Sequence, residues 1–151
     1  MVVGFGSNLG DRDTAIRASA GRVAEFLTSF QLSPLIETAP VGEGLENDPP
    51  YLNAVGVGES ALSPRELFVQ LRAIEAAAGR TRSHQGAPRT LDLDLILVGD
   101  QIIDEADLKV PHPRFRERRF VLEPLAALEP DLRDPVTRLT IRELLNHLSA
   151  R

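Results

Sequence analysis

Hydrophobic residues along the chain recur with two different periods, and these periods predict an order of strands and helices. The apolar runs Val2–Phe5, Tyr51–Glu59 and Thr90–Val98 predict strands. Apolar residues spaced three or four apart predict one helix over about residues 11–29 and a second over 64–79. The first two thirds of the chain therefore alternate strands with helices.

Local sequence signals refine several element boundaries. Ser63-Pro64-Arg65-Glu66 combines a capping box with proline at the first helical position, and Thr140-Ile141-Arg142-Glu143 predicts the start of a C-terminal helix in the same way. A strand predicted over Phe30–Thr38 contains a proline, which favours a sheet edge or a bulge. Gly99-Asp100 predicts a hairpin turn into Gln101–Ile103.

The resulting order is β-α-β-β-α-β, followed by a small hairpin and a helix. This order is typical of the split βαβ pattern, in which helices pack on one face of an antiparallel sheet. We therefore expect an α+β fold with a ferredoxin-like βαββαβ core and an additional C-terminal helix. A length of 151 residues suits one domain, predicted to span 1–151.

Composition and charge exclude several functional classes. The chain is 42% hydrophobic and 26% charged, as in globular proteins, and its lack of cysteine removes disulfides, thiolate catalysis and cysteine-ligated metals. It has no apolar run of membrane-spanning length and no N-terminal signal pattern, so we expect a cytoplasmic protein without a membrane partner. A net charge of −5 argues against a nucleic-acid partner.

Arginines cluster in the central part of this acidic chain, beside two long loops. The loops cover 39–50 and 79–89, and segments of that length are often functional. Guanidinium groups bind phosphate oxygens in a bidentate manner, although such a cluster also suits a solvated surface. The clustered arginines are Arg80, Arg82, Arg89, Arg114, Arg116, Arg118 and Arg119.

Asp92-Leu93-Asp94 is the most informative motif for chemistry. On a strand, Asp92 and Asp94 share one face while Leu93 lies on the other. Two neighbouring carboxylates repel each other unless a cation lies between them, and Mg²⁺ commonly takes one or two carboxylates together with substrate phosphates. Paired aspartates on a solvated strand remain the alternative. The nearby arginines favour transfer from a nucleotide polyphosphate, and His112 could donate to a phosphate.

At this point the chain resembles the 6-hydroxymethyl-7,8-dihydropterin pyrophosphokinase family of folate biosynthesis. The matching strings follow the family's order over residues 4 to 125, and the Pro-Arg-Thr-Leu-Asp-Leu-Asp string is specific to it. They are Gly6-Ser7-Asn8-Leu9-Gly10, Glu37-Thr38-Ala39-Pro40, Tyr51-Leu52-Asn53-Ala54, Ile74-Glu75, Gly79-Arg80-Thr81-Arg82, Pro88-Arg89-Thr90-Leu91-Asp92-Leu93-Asp94 and Val110-Pro111-His112-Pro113-Arg114.

The resemblance implies a monomeric transferase that moves the β,γ-pyrophosphoryl group of ATP to the pterin hydroxymethyl oxygen and releases AMP. It implies that Asp92 and Asp94 bind two Mg²⁺ ions and take part in catalysis together with Arg80, Arg82 and Arg89. The same match implies an ATP site formed by Glu75, Arg80, Arg82, Arg89, Leu95, His112 and Arg118. It implies a pterin site formed by Thr38, Pro40, Val41, Tyr51, Asn53 and Phe120.

The chain departs from the family pattern at two places. The segment Ser83–Ala87 is one residue shorter than in well-known members and lacks their Arg-Trp pair, and Pro113 replaces a frequent aromatic residue. Two other functions stay open from the residues themselves. A different Mg²⁺-dependent nucleotidyl transferase would release pyrophosphate instead of AMP, and a non-catalytic nucleotide-binding module would tolerate loss of Asp92.

Overall fold

An antiparallel five-stranded sheet forms the centre of the protein. The computed structural model describes residues 1–8, 11–38, 50–79 and 91–150. Within these residues the sheet has the order β2-β4-β1-β5, and β3 also pairs with β4. All of these pairs are antiparallel. The strands are β1 (Val2–Ser7), β2 (Thr28–Leu32), β3 (Ile36–Thr38), β4 (Tyr51–Glu59) and β5 (Asp92–Leu97).

Helices cover both faces of this sheet and divide the core in two. Side chains of α1 (Arg12–Ala24) and α2 (Pro64–Gly79) pack with Phe5 and Leu93 on one face. Side chains of α3 (Arg119–Leu128) and α4 (Ile141–Ser149) pack with Val55 and Ile96 on the other. The prediction of a mixed helix and antiparallel-sheet fold is confirmed, but the second helical layer was not expected.

Several predicted boundaries agree with the structure. Helix α2 spans Pro64–Gly79 and strand β4 spans Tyr51–Glu59, as the sequence indicated. Both capping boxes form: the Ser63 hydroxyl accepts from the Glu66 N–H while the Glu66 carboxylate accepts from the Ser63 N–H, and Thr140 does the same with Glu143. These ends are determined by residues three apart in sequence, which is why they were predictable.

The structure corrects four element predictions. Helix α1 ends at Ala24, well before residue 29, and the strand expected over 30–38 is two strands separated at Ser33. A turn does follow β5 at Gly99, but β6 (Ile103–Asp104) pairs with β7 (Lys109–Val110) and not with β5. Helix α3 was missed, since the arginines immediately before it and its internal proline, Pro124, concealed the apolar spacing.

Among the described residues, no helix is both long enough and apolar enough to cross a membrane.

Candidate functional site

A cavity of about 520 Å³ opens on the sheet face that α3 and α4 cover only in part. At one end of that face, Val2, Val55 and Ile96 lie under the two helices. At the other end the strands carry small or polar residues, and among the described side chains no apolar layer closes over them. The cavity is lined by side chains and backbone of Gly4, Gly6, Thr38, Tyr51, Asn53, Asp92, Asp94, Arg114, Arg118, Arg119 and Phe120, among others.

Asp92 and Asp94 both line this cavity, as strand alternation predicts. Leu93 between them is fully buried on the opposite face, whereas the Asp94 side chain is 44% exposed. On the neighbouring strand, Gly6 lies opposite Asp92 and Gly4 lies opposite Asp94. Because these two glycines have no side chain, the floor of the cavity beside the carboxylates stays open.

Arg118 connects the carboxylates with an aromatic wall. Its Nη1 lies 3.9 Å from Asp94 Oδ2, and its guanidinium carbon lies 5.5 Å from the centre of the Phe120 ring. The Arg118 carbonyl accepts from the N–H groups of Val121 and Leu122, so this residue caps the N-terminus of α3. The start of α3 therefore fixes the backbone from which the Arg118 side chain reaches Asp94 and Phe120.

Thr38, Tyr51 and Asn53 form the far end of the cavity. The β3–β4 register places Thr38 beside Tyr51, and Asn53 Nδ2 donates to Thr38 Oγ1 at 2.7 Å. Asn53 is 6% exposed, so its amide is held in one orientation with its Oδ1 near the open floor at Gly6. Two aromatic rings, Tyr51 and Phe120, line the same cavity and suit a flat ligand.

A second cavity of about 250 Å³ adjoins the first at Asp94, which lines both. Its walls include Phe68 and Arg72 of α2, with the Arg72 guanidinium carbon 5.1 Å from the Phe68 ring centre. Leu95 and His112 also line it. The lining also includes Lys109 and two carboxylates, Asp94 and Asp107, so an anionic ligand beside the aromatic ring would need a bound cation as well as the arginine.

His112 is held at the border of β5 by its backbone and its ring. Its N–H donates to the Ile96 carbonyl at 2.9 Å, and its Nδ1 accepts from the Arg114 N–H at 3.1 Å. Burial lowers the pKa of His112 below 6.5; Asp94 opposes this shift, and Arg118 and Arg114 reinforce it. The ring is therefore neutral near pH 7, with its proton on Nε2, where it can donate to a ligand oxygen.

Glu75 does not line either cavity. Its side chain is 2% exposed, and its Oε2 accepts from the Leu93 N–H at 2.7 Å. The residues Arg80, Arg82, Arg89, Pro40 and Val41, predicted for the site, lie outside the described residues. The remaining predicted site residues line the two cavities: Thr38, Tyr51, Asn53, Asp92, Asp94, Leu95, His112, Arg118 and Phe120.

Sequence reasoning missed Phe68 and Arg72 as lining residues. Both lie on α2 next to its buried positions, where an exposed arginine four residues after an aromatic residue is common in any helix. An aromatic residue followed four positions later by an arginine, on a helix that packs beside the strand with the two aspartates, is the signal that could have identified them. Arg114 and Arg119 belong to the arginine cluster, but no role had been assigned to them.

The carboxylate pair fits a magnesium ion that is held partly by substrate. Among the described residues no three His, Cys, Asp or Glu side chains come together as a metal-binding group. Two aspartates alone do not complete an octahedral shell, whereas Mg²⁺ typically keeps waters and phosphate oxygens beside one or two carboxylates. The oxygen donors of Asp92 and Asp94, open to the cavity, suit that type of site.

Together, the fold and the two adjoining cavities suit a class of enzyme that brings a flat ligand and a phosphate-bearing ligand together at a carboxylate pair. A family model described as 7,8-dihydro-6-hydroxymethylpterin-pyrophosphokinase (HPPK) matches residues 2–130 of the chain. The chain belongs to this family, and it is accordingly a pyrophosphokinase, a transferase.

Individual relatives agree with the family match. The protein named 2-amino-4-hydroxy-6-hydroxymethyldihydropteridine pyrophosphokinase in Aquifex aeolicus is 34% identical over 143 residues, which cover 95% of this chain and 88% of that one. The protein of the same name in Pseudomonas aeruginosa is 42% identical over 138 residues, covering 89% of this chain and 83% of that one.

A solved structure supports the fold. The wild-type HPPK-DHPS of Plasmodium falciparum superposes with a TM-score of 0.76 at 16% identity, over 99% of this chain and 44% of that one. At this identity the likeness concerns the fold alone. This chain spans less than half the length of that protein.

Proposed function

We propose that this chain transfers the β,γ-pyrophosphoryl group of ATP to the hydroxymethyl oxygen of 6-hydroxymethyl-7,8-dihydropterin and releases AMP, a step of folate synthesis. Family membership supports the reaction type. The observation that carries the proposal is that Asp94 lines both cavities. A donor in one cavity and an acceptor in the other would then react beside the carboxylate that holds the metal.

Asp92 and Asp94 are the proposed metal ligands, for two Mg²⁺ ions. When bound, Mg²⁺ neutralises phosphate charge and polarises the bond that breaks. The chain itself contributes two carboxylates in fixed relative positions on β5 and, at 3.9 Å from one of them, the Arg118 guanidinium. Catalysis of this kind is mainly positioning and electrostatic stabilisation.

The cavity with Tyr51 and Phe120 is the proposed pterin site. The two rings can stack on a flat heterocycle, and the fixed Asn53 amide can hydrogen-bond its edge. Thr38 holds Asn53 in that orientation. Pro40 and Val41 stay predicted members of this site. The side of the cavity nearest Asp94 would receive the hydroxymethyl group.

The cavity with Phe68, Leu95 and His112 is the proposed nucleotide site. Neutral His112 would donate from Nε2 to a phosphate oxygen, and Arg118 would bind the phosphates from the pterin side. Arg80, Arg82 and Arg89 stay predicted phosphate ligands, with catalytic roles. Pro113 lines this cavity in place of a frequent aromatic residue, so we expect contacts to the base to come from Leu95 and Phe68 instead.

For the chain as a whole we propose a single domain over 1–151, acting as a monomer in the cytoplasm. The order of its strands and their antiparallel pairing support a ferredoxin-like core, in which β2 and β3 together occupy one strand position. The small-molecule substrates give no reason for a partner protein.

The test is an HPLC assay of nucleotides after mixing the chain with ATP, Mg²⁺ and 6-hydroxymethyl-7,8-dihydropterin. We expect AMP that forms only when the pterin is present, without ADP or free pyrophosphate. Free pyrophosphate would instead identify a nucleotidyl transferase using the same carboxylates. An absence of turnover together with retained nucleotide binding would identify a non-catalytic binding module.

A further inference from the structure

The strand that carries the carboxylate pair lies at a sheet edge. In the described part of the sheet, β5 pairs only with β1, so the backbone groups on its other side have no strand partner. Backbone groups at a sheet edge have no ladder partner, and where they are buried they need another hydrogen-bonding group. A metal site with two ligands on such a strand needs another element to hold the edge.

Two residues of α2 hold this edge at Leu93, the residue between the two aspartates. Glu75 Oε2 accepts from the Leu93 N–H at 2.7 Å, and Arg72 Nη2 donates to the Leu93 carbonyl. Arg72 Nη1 also lies 2.8 Å from Glu75 Oε1, which closes a ring of three contacts. At Leu93 the ion pair thus takes the place of a neighbouring strand, which the described part of the sheet does not provide on this side, while further along β5 the Ile96 carbonyl accepts from the His112 N–H.

The position of this contact matters because backbone groups alternate along a strand. The N–H and C=O of Leu93 point away from β1, while those of Asp92 and Asp94 point towards Gly6 and Gly4 of β1. The backbone of Asp92 and Asp94 is thus held by β1, and the backbone of Leu93 between them is held by α2. Burial of the Leu93 side chain fixes the rotation of the strand, which turns both carboxylates into the cavity.

We infer that Arg72 and Glu75 are positioning residues for the metal site, acting through the backbone of Leu93 on the spacing and orientation of Asp92 and Asp94. This inference rests on the proposed function in so far as those aspartates bind Mg²⁺. It assigns Glu75 the role of orienting the metal ligands through the Leu93 backbone, instead of a contact with the nucleotide. Groups that orient metal ligands typically change metal affinity or activity by about 10- to 100-fold when removed.

Charge alone predicts the opposite result for one of the two residues. Removing the positive charge of Arg72 would strengthen cation binding at nearby carboxylates if only electrostatics mattered. Loss of positioning weakens it instead. Arg72 also lines the proposed nucleotide cavity, so KM for ATP is measured separately. At saturating ATP, Arg72→Met then distinguishes positioning from charge by the direction of the change in Mg²⁺ dependence.

The experiment measures the Mg²⁺ concentration for half-maximal AMP formation at saturating ATP and pterin. We expect Arg72→Met and Glu75→Leu each to raise this concentration about ten-fold, with kcat largely recovered at high Mg²⁺. Glu75→Gln, which keeps an oxygen to accept from Leu93, should show a smaller rise. The control is Arg17→Met, which removes an exposed arginine paired with Asp13 on α1 and should change nothing.

A second measurement is independent of activity. Hydrogen exchange of the Leu93 amide, followed by NMR in the nucleotide-free protein, should lose protection in Glu75→Leu and keep most of it in Glu75→Gln. The inference would be overturned if the Mg²⁺ concentration for half-maximal AMP formation stayed unchanged in both Glu75 variants, or if it fell in Arg72→Met. If the wild-type chain makes no AMP, the proposed function fails, whereas the exchange data still decide whether Glu75 holds the edge.

Discussion

At the scale of single residues, the site depends on side chains that strand alternation separates from the core. Asp92 and Asp94 face the cavity because Leu93 faces the buried layer, so one strand provides both the hydrophobic anchor and the ligands. The Arg118 guanidinium, 3.9 Å from Asp94 Oδ2, offsets part of the repulsion between the two carboxylates. Loss of one carboxylate should therefore affect the metal site far more than the fold, and this gives a direct test.

Asp94→Ala should abolish turnover and leave the fold intact. The change removes one metal ligand, and we expect kcat to fall by about 100-fold or more, while the melting temperature changes little because the half-exposed contact of Asp94 with Arg118 contributes only about 0–1 kcal/mol. The AMP assay and a thermal melt measure both effects. Asp100→Ala, in the exposed turn after β5, is the matched control, and near-normal activity of Asp94→Ala would remove its catalytic role.

Gly6→Ala should weaken pterin binding. A Cβ at this position would lie 3.2 Å from Asn53 Oδ1 and 4.0 Å from the Tyr51 ring, on the open floor between them. Overpacking of this kind costs about 1–2 kcal/mol, so KM for the pterin should rise about ten-fold. Steady-state kinetics with varied pterin concentration provide the measurement.

Gly21→Ala is the matched control for that substitution. A Cβ on Gly21, in the middle of α1, meets no atom within 4 Å. Alanine there should stabilise the chain by about 0.5–1 kcal/mol without changing KM. If both variants raised KM equally, the space at Gly6 would not be what admits the pterin.

At the scale of elements, the sequence predicted what residues close in the chain determine. The bounds of α2, the strand β4 and the shared face of Asp92 and Asp94 follow from local spacing. The burial of Glu75 could not be predicted, because its partner is the backbone of Leu93, which tertiary packing brings to α2. The same is true of Arg72 and Phe68, which acquire a role only when β5 lies beside them.

The break between β2 and β3 shows the same limit and is itself testable. Ser33 is buried, its N–H donates to the Val55 carbonyl at 2.8 Å, and its hydroxyl accepts from the Val55 N–H at 2.9 Å. The Ser33 hydroxyl thus accepts the hydrogen bond from Val55 of β4 at the point where the backbone ladder is interrupted beside Pro34. A proline in the sequence indicated an irregular strand, but not which residue repairs it.

Ser33→Ala should leave the buried Val55 N–H without an acceptor. We expect a loss of about 1–3 kcal/mol in the free energy of unfolding, measured by urea denaturation, with faster hydrogen exchange at Val55. Ser149→Ala, which removes an exposed hydroxyl beside Arg119, is the control and should change stability little. Equal stability of the two variants would show that water or a shifted strand satisfies Val55.

At the scale of the whole molecule, a second helical layer makes the cavity. Helices α3 and α4 cover one half of the sheet face, and the N-terminus of α3 places Arg118 and Phe120 at the border of the open half. The segment before α3 is tied to the C-terminal part of the chain by Arg116. That side chain makes two hydrogen bonds to the fully buried Asp134 carboxylate, and it stacks on Phe115.

Asp134→Asn should therefore weaken the attachment of the layer formed by α3 and α4, and the loss in the free energy of unfolding should depend on pH. Burial opposes ionisation of Asp134, but Arg116, the Thr137 hydroxyl and the Val136 N–H outweigh it, so its pKa lies below the ordinary 3.8. A carboxyl with a lowered folded-state pKa stabilises the fold above pH 3.8, and this stabilisation is lost as the pH falls through the folded-state pKa. At pH 7 the variant should lose about 3 kcal/mol in the free energy of unfolding, and in more acid solution the difference from wild type should shrink.

Urea titrations at several pH values measure this difference. The control is Asp13→Asn, which alters an exposed ion pair with Arg17 and should change the free energy of unfolding by no more than about 0.5 kcal/mol. A difference that did not change with pH would mean that packing, and not the carboxylate charge, joins this layer to the site.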